Sequence, residues 1–336
     1  MAAISVIIPS YNRATIVGET IENMLSQSLP PDEIIVVDDG STDNSVEVVA
    51  SFGDKVKLIR QTNQGPGAAR NAGLKAAKGQ FIQFMDSDDL ASRNKLEIQF
   101  NALNKTGADF AYSPWVHCLI KNKTIQFTDA VLQADPVPAT RPMLEWFLAG
   151  WSLVFQNCLF RRSILDKAGI YRTDLMPSED SEYFVRILLA GAQPVHTPGC
   201  IVFYREHDLH KITASGTSEK HRADDWTNFL TITGDQLQDH LKGIKSATRI
   251  ALAASVQQHL DFCAKRNLKG LPSNHPYIQL LSQTNKTLIK AWILYKKIRR
   301  KMKGSPDNHV AFGARTSGEA YTKLVTEMGY QYVSGR

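Results

Sequence analysis

Cysteine is scarce in this 336-residue chain, and the four present, Cys118, Cys158, Cys200 and Cys263, stand far apart. With no C-x-x-C spacing, neither a zinc ribbon nor a disulfide framework is indicated, and a reduced, cytoplasmic setting is the simplest expectation. Long apolar runs are missing too. The first, Ala2 to Ile8, has no basic residues ahead of it and soon meets Pro9. It reads as a buried strand rather than a signal segment, and no later run is long enough to cross a bilayer. Neither a phosphate loop ending in GKS or GKT nor a G-x-G-x-x-G dinucleotide fingerprint occurs. Zinc-finger spacings and the aromatic–basic pattern of a single-strand-binding surface are also missing, so nucleic acid is not an expected partner.

What remains is an ordinary globular composition, 43% hydrophobic and 21% charged, with enough length to bury a large core. The net charge of +6 is uneven. Much of it sits in Lys290, Lys296, Lys297, Arg299, Arg300, Lys301 and Lys303. An anionic substrate or anionic lipid would suit that balance.

The first hundred residues alternate two periodicities. Strands are expected at Ile4–Ile8, Glu33–Val37, Val56–Ile59 and Gln80–Met85. Helical spacing joins them, as in Val17, Ile21, Met24 and Leu25. Such β-α-β alternation implies an α/β fold with a largely parallel sheet and helices on both faces. Beyond Ser92 a helix carrying Leu96, Ile98, Phe100 and Leu103 is expected. Short strands follow near Asp109–Tyr112, Lys123–Phe127, Phe155–Phe160 and Val202–Tyr204, with a helix over Ser181–Ala190. Helical patterns dominate from residue 216. The organisation expected is therefore a domain over 1–215, a helical region over 216–303, and a mobile tail over 304–336.

The most telling stretch is Phe84-Met85-Asp86-Ser87-Asp88-Asp89, three carboxylates directly after an apolar strand. At a strand's C-terminal end they face the crevice where open α/β sheets bind ligands, and a divalent cation would relieve their repulsion. An acidic turn or a helix N-cap would read the same way if the stretch stood alone. It does not. Pro9-Ser10-Tyr11-Asn12 follows the first strand and Asp38-Asp39-Gly40-Ser41-Thr42-Asp43 the second, on the same sheet edge, where one nucleotide could touch all three.

These strings, together with Gly65-Pro66-Gly67-Ala68-Ala69-Arg70-Asn71-Ala72-Gly73, resemble the family 2 glycosyltransferases over roughly residues 1–210. The resemblance implies a GT-A (Rossmann-like) fold and transfer of a sugar from a nucleotide-sugar donor with inversion. It places Pro9, Tyr11 and Asn12 at the nucleobase pocket and Asp39 on the base or ribose; a carboxylate accepts well from uracil N3–H. Asp38 would support the turn instead. Arg70 would meet phosphate or hold a carboxylate of the acidic loop. Asp86-Ser87-Asp88 matches the DXD motif, with Asp86 and Ser87 on the sugar nucleotide and Asp88 on Mn²⁺ or Mg²⁺. Asp89 would cap the next helix or touch the donor sugar.

Glu179-Asp180 resembles the family's ED motif, whose Asp is the general base; from the residues alone, Ser178 or Asp180 capping a helix is the preferred reading. Tyr204-Arg205-Glu206-His207 resembles a later family element, which would bring Arg205 to the diphosphate and His207 to the metal, with His210 as a competitor. Trp151, Asn157 and Glu179 are expected on the acceptor side, with the core an equally good place for Trp151. The whole reads as a metal-dependent inverting glycosyltransferase using a UDP-sugar, with dTDP and GDP open, and a glycan or lipid-linked acceptor. Segment 288–303 offers peripheral membrane contact, with Trp292 and Tyr295 at the interface, or a helix packed back on the domain. A non-catalytic GT-A scaffold is the alternative. The joint presence of Asp39, Asp86, Asp88 and Asp180 argues against it. A nucleotidyltransferase would want a Gly-rich basic loop where Pro9-Ser10-Tyr11-Asn12-Arg13 stands.

Overall fold

The computed structural model describes residues 4–151, 153–207, 218–301 and 321–333. Its strands in chain order are β1 (Ile4–Ser10), β2 (Glu33–Asp38), β3 (Lys57–Arg60), β4 (Phe81–Phe84), β5 (Leu90–Ala91) and β6 (Phe110–Tyr112). Then come β7 (Trp115–Lys121), β8 (Thr124–Phe127), β9 (Cys158–Arg161), β10 (Pro194–His196), β11 (Val202–Glu206) and β12 (Gln331–Val333). Among the described residues they form a seven-stranded sheet ordered β10-β6-β9-β4-β1-β2-β3 and a five-stranded one ordered β12-β8-β7-β11-β5. In the first sheet β9 alone runs antiparallel to its neighbours, β4 and β6; the remaining pairs are parallel.

The central strands are mostly apolar, with buried Ser5 of β1 and Gln83 of β4 the interior exceptions, because both faces are covered. Side chains of a strand alternate between faces. Ile4, Val6 and Ile8 of β1 enter one core with Ile34 and Val36 of β2. Ile7 enters a second core with Phe84, Phe155 and Phe160, while Ile35 and Val37 pack against Ala69. The helix Val17–Leu25 buries Val17, Ile21 and Met24, the face its spacing predicts. The helix Pro66–Ala76 lies so close to β1 that a Cβ at Gly73 would collide with Ile7, and one at Gly67 would come within 2.6 Å of the Arg172 carbonyl. Glycine is what brings this helix, and Arg70 on it, against the sheet.

Three expectations change. Helix Lys95–Thr106 buries Lys95 and Gln99 and leaves Ile98 and Phe100 half-buried, because the side facing the sheet is a polar network. The tail is not uniformly loose: residues 321–333 form a helix, Thr322–Glu327, and then β12, which pairs in parallel with β8. A three-residue edge strand is too short to leave a period in the sequence. Finally, in the helix Lys286–Lys301, Trp292 turns inward with Ile289 and Ile293 onto the helical core, so it does not sit at an outer interface. Lys303 and His210 lie outside the described residues. No helix among the described residues is long and apolar enough to cross a membrane.

Candidate functional site

Four chain segments converge beyond the C-terminal ends of β1, β2, β4 and β11. The first two are laced together: the Asn12 backbone N–H donates to Ser41 Oγ at 3.0 Å, and the Thr42 N–H donates to Asn12 Oδ1 at 2.8 Å. Asn12 itself takes a left-handed backbone, φ 51°, which asparagine tolerates better than most residues. Tyr11 is left exposed at the turn. Asp38 supports the turn as expected, accepting from the Ser41 N–H at 3.2 Å.

Asp39 is buried and committed to the chain. Its Oδ1 accepts from Gln61 Nε2 at 2.7 Å and the Gln64 N–H at 3.0 Å, and its Oδ2 from the Gly65 N–H at 2.8 Å. A carboxylate has about four acceptor positions, so one remains for a ligand. A cleft of about 520 Å³ opens beside it, lined by Asp38, Gly40, Arg60, Gln61, Thr62 and Asn63. Gly40 is required there: its φ is 78°, and a Cβ would come within 2.8 Å of the Asn63 nitrogen.

The acidic loop is held from all sides. Asp86, Asp88 and Asp89 bring carboxylate oxygens within 4.8 Å of one another, and Ser87 is buried between them. Asp89 is a structural member: the Arg205 N–H donates to its Oδ1 at 2.9 Å and Gln156 Nε2 to its Oδ2 at 2.8 Å. Gln156 also donates to Asp86 Oδ2. Asp88 instead faces side-chain nitrogens, with His207 Nε2 at 2.9 Å and Arg13 Nε at 3.4 Å from its Oδ2. Among the described residues, buried His207 Nδ1 has no hydrogen-bond partner. Three clustered carboxylates, with the His207 imidazole beside one of them, form an oxygen-rich donor set of the kind hard divalent cations prefer.

Arg70 ties this loop to the second carboxylate pair. Its guanidinium, buried at 4% exposure, lies 2.9 Å from Asp86 Oδ1, 3.1 Å from Glu179 Oε1 and 3.4 Å from Asp180 Oδ1. Burial disfavours its charge, but Asp180 and Asp86 overcome that and hold it firmly protonated. Burial and, next, the neighbouring Asp180 push the Glu179 carboxyl up to about 7, against the pull of Arg70. Glu179 and Asp180 open the helix Glu179–Leu189, whose preceding residue Ser178 makes no side-chain cap. Ser178 Oγ donates to Asp225 instead. The Glu179 side chain is 6% exposed and that of Asp180 31%, so only the latter is open to a ligand.

The remaining candidates sit elsewhere. Pro9 lies within β1 and pairs with Val37. Arg205 is buried against Glu19, whose other oxygen accepts from Tyr330 Oη. Trp151 packs edge-on against Tyr112 in the core, 5.8 Å between centroids. Asn157 is fully buried, donating to the Ser113 carbonyl and to Gln133, each at 2.7 Å. Of the three acceptor-side candidates, Trp151 and Asn157 are thus core residues, while Glu179 joins the Arg70 cluster. Sequence reasoning missed Gln156, Arg13 and Glu19 as site residues. Arg13 is flagged only by adjacency to the first loop, and Gln156 and Glu19 by nothing.

The fold defines the class: this is a GT-A architecture. The chain superposes on Staphylococcus aureus TarS 1–349, solved in complex with UDP-GlcNAc, with a TM-score of 0.59 and 19% identity over 88% of this chain and 85% of that one. The glycosyl transferase family 2 model matches residues 5–169, a little under half of the chain. A Haemophilus influenzae glycosyltransferase is 37% identical over 139 residues, 40% of this chain and 56% of the relative. A Rickettsia typhi glycosyltransferase is 29% identical over 246 residues, covering 71% of this chain and 75% of that protein. Streptococcus pneumoniae glycosyltransferase GlyG is 40% identical over 110 residues, 32% of this chain and 36% of GlyG. The chain therefore spans little more than half, or less, of two of these relatives' length.

Proposed function

We propose that this protein is a metal-dependent inverting glycosyltransferase that moves a sugar from a nucleotide-sugar to a hydroxyl of a glycan or lipid-linked acceptor. The observation that carries the reading is Arg70: one side chain touches the acidic loop through Asp86 and the candidate base pair through Glu179 and Asp180. Donor-side and acceptor-side carboxylates are thereby held a guanidinium's width apart.

In this reading the nucleobase lies against Tyr11, with Pro9 and Asn12 shaping the turn and Asp39 offering its remaining acceptor position. A uracil matches that acceptor through N3–H, which makes a UDP-sugar the first choice. That TarS was solved with UDP-GlcNAc fits the choice. Asp88 and His207 would hold Mn²⁺ or Mg²⁺, with Asp86 and Ser87 on the sugar nucleotide. When bound, the ion supplies Lewis-acid stabilisation of the departing diphosphate. Asp180 takes the proton from the acceptor hydroxyl as its oxygen attacks the anomeric carbon from the face opposite the leaving group. Buried Glu179 stays on Arg70 and keeps the guanidinium in place. All four cysteines are buried, in keeping with a cytoplasmic reaction.

A thermal-shift panel of UDP-, dTDP- and GDP-sugars with Mn²⁺ identifies the donor, since a ligand at a hundred times its Kd adds about 2.7 kcal/mol of stability. With that donor, Asp180→Asn retains nucleotide binding and loses roughly a hundredfold or more in turnover. Full activity in the variant would remove Asp180 as the base.

A further inference from the structure

The helix Lys286–Lys301 has two apolar faces, and only one is used. Ile289, Trp292 and Ile293 pack into the helical core, against the helix Ser246–Lys265 among others. At 100° per residue, Leu288, Ala291, Leu294, Tyr295 and Ile298 fall on the opposite side, in an i, i+3, i+6, i+7, i+10 stripe. Leu288 is 48% exposed, Leu294 57% and Ile298 52%. Single exposed leucines are ordinary on a soluble protein; a contiguous stripe along a helix already docked by its other side is a binding surface.

Charge tells what it binds. Between Lys286 and Lys301 the sequence has no Asp or Glu. Lys286, Lys290 and Lys297 are exposed and fall along one edge of the stripe. A second copy of this chain brought onto the stripe would set lysine edges in proximity. Anionic lipid headgroups would instead pair with the lysines while the leucines enter the acyl boundary, the long lysine stems reaching outward to the phosphates. Sixteen residues give a helix of about 24 Å, which is short for the hydrocarbon core and suited to lying in its surface.

We infer that the outward face of helix Lys286–Lys301, centred on Leu294 and Ile298, docks the protein peripherally on an anionic lipid bilayer. The inference does not depend on the sugar-transfer reading, and vesicle binding is measured without turnover, so either can fail alone.

The test is co-sedimentation of the full chain with vesicles of phosphatidylcholine alone or with phosphatidylglycerol added. Binding is expected only to the anionic vesicles, and it weakens as salt is raised. Leu294→Glu with Ile298→Glu should reduce that binding at least about tenfold. Both side chains are exposed, so the circular dichroism melt should not move. Lys290→Gln with Lys297→Gln, also surface changes, should weaken binding by about tenfold as well. No binding to anionic vesicles, or binding by either double variant as tight as the parent's, overturns the inference. So does a dimer in sedimentation equilibrium that Leu294→Glu dissolves, which would assign the stripe to a second copy.

Discussion

Replacing Arg70 with Met keeps the length of the side chain and removes the one cation shared by Asp86, Glu179 and Asp180. The three carboxylates lie 2.9, 3.1 and 3.4 Å from its guanidinium nitrogens. At an effective dielectric constant of about 20, a pair near 3 Å is worth about 5 kcal/mol, most of it offset by the cost of taking both ions out of water. Deleting one partner leaves that cost standing without its compensation. Breaking a buried pair in this way typically costs about 3–5 kcal/mol, and with three acids around one cation Arg70→Met should reach the upper end near pH 8. Urea denaturation followed by circular dichroism measures it.

The penalty must also depend on pH, and its sign follows from Glu179. Burial, then Asp180, raise its folded-state pKa to about 7 from an ordinary 4.5. Between those values the folded state binds more protons than the unfolded one, so this group's contribution to stability falls as pH rises through that window. Without Arg70 the carboxylates shift higher still, and the variant loses stability more steeply than the parent. At about pH 5 Glu179 is neutral and the penalty should drop to roughly half. Arg70→Lys should recover only part of the loss, because a single ammonium cannot fork between Asp86 and Glu179. A penalty below about 1 kcal/mol, or one equal at both pH values, would refute the shared-cation reading.

Two further outcomes follow from the same geometry. Asp88→Ala should abolish the Mn²⁺-dependent part of UDP binding in calorimetry while leaving the unfolding free energy in urea within about 0.5 kcal/mol of the parent's; UDP binding that is unchanged with and without chelator would remove Asp88 from the metal site. Gly73→Val drives a branched side chain into Ile7 of β1 and should cost up to about 3 kcal/mol by overpacking, whereas stability equal to the parent's would mean the helix and sheet are not in close contact.

Legibility tracked how locally each feature is encoded. The strands β1, β2 and β4 and their terminal loops are visible because a doubly covered parallel strand is mostly apolar and ends abruptly in polar residues. Residues Tyr11, Asp39 and Asp88 sit within a few positions of those strand ends, so sequence and structure agree on their neighbourhood. Edge strands β5, β10 and β12 span two or three residues and carry no period. Trp151 and Asn157 were misplaced for a different reason. An aromatic or amide in an irregular segment has the same appearance whether it lines a pocket or fills the core, and here Tyr112, Ser113 and Gln133 claim them.

The least legible part lies beneath the acidic loop. Lys95 is buried, its pKa lowered by burial to about 8, and its ammonium donates to Gln83 and to Gln99. Gln83 passes a hydrogen bond at 3.0 Å to the Gln156 carbonyl, Gln99 one at 2.7 Å to the Asn157 carbonyl, and Gln156 reaches Asp86 and Asp89. Each residue read singly is a neutral amide or a surface-type lysine, and Lys95 and Gln99 contradict the apolar period of their helix. Together they meet the demand that a non-directional core cannot: three like charges stay clustered only where directional donors fix the backbone around them. Asp89 and Asp86 are the loop's attachments to that network, while Asp88 is held by His207 and Arg13 instead.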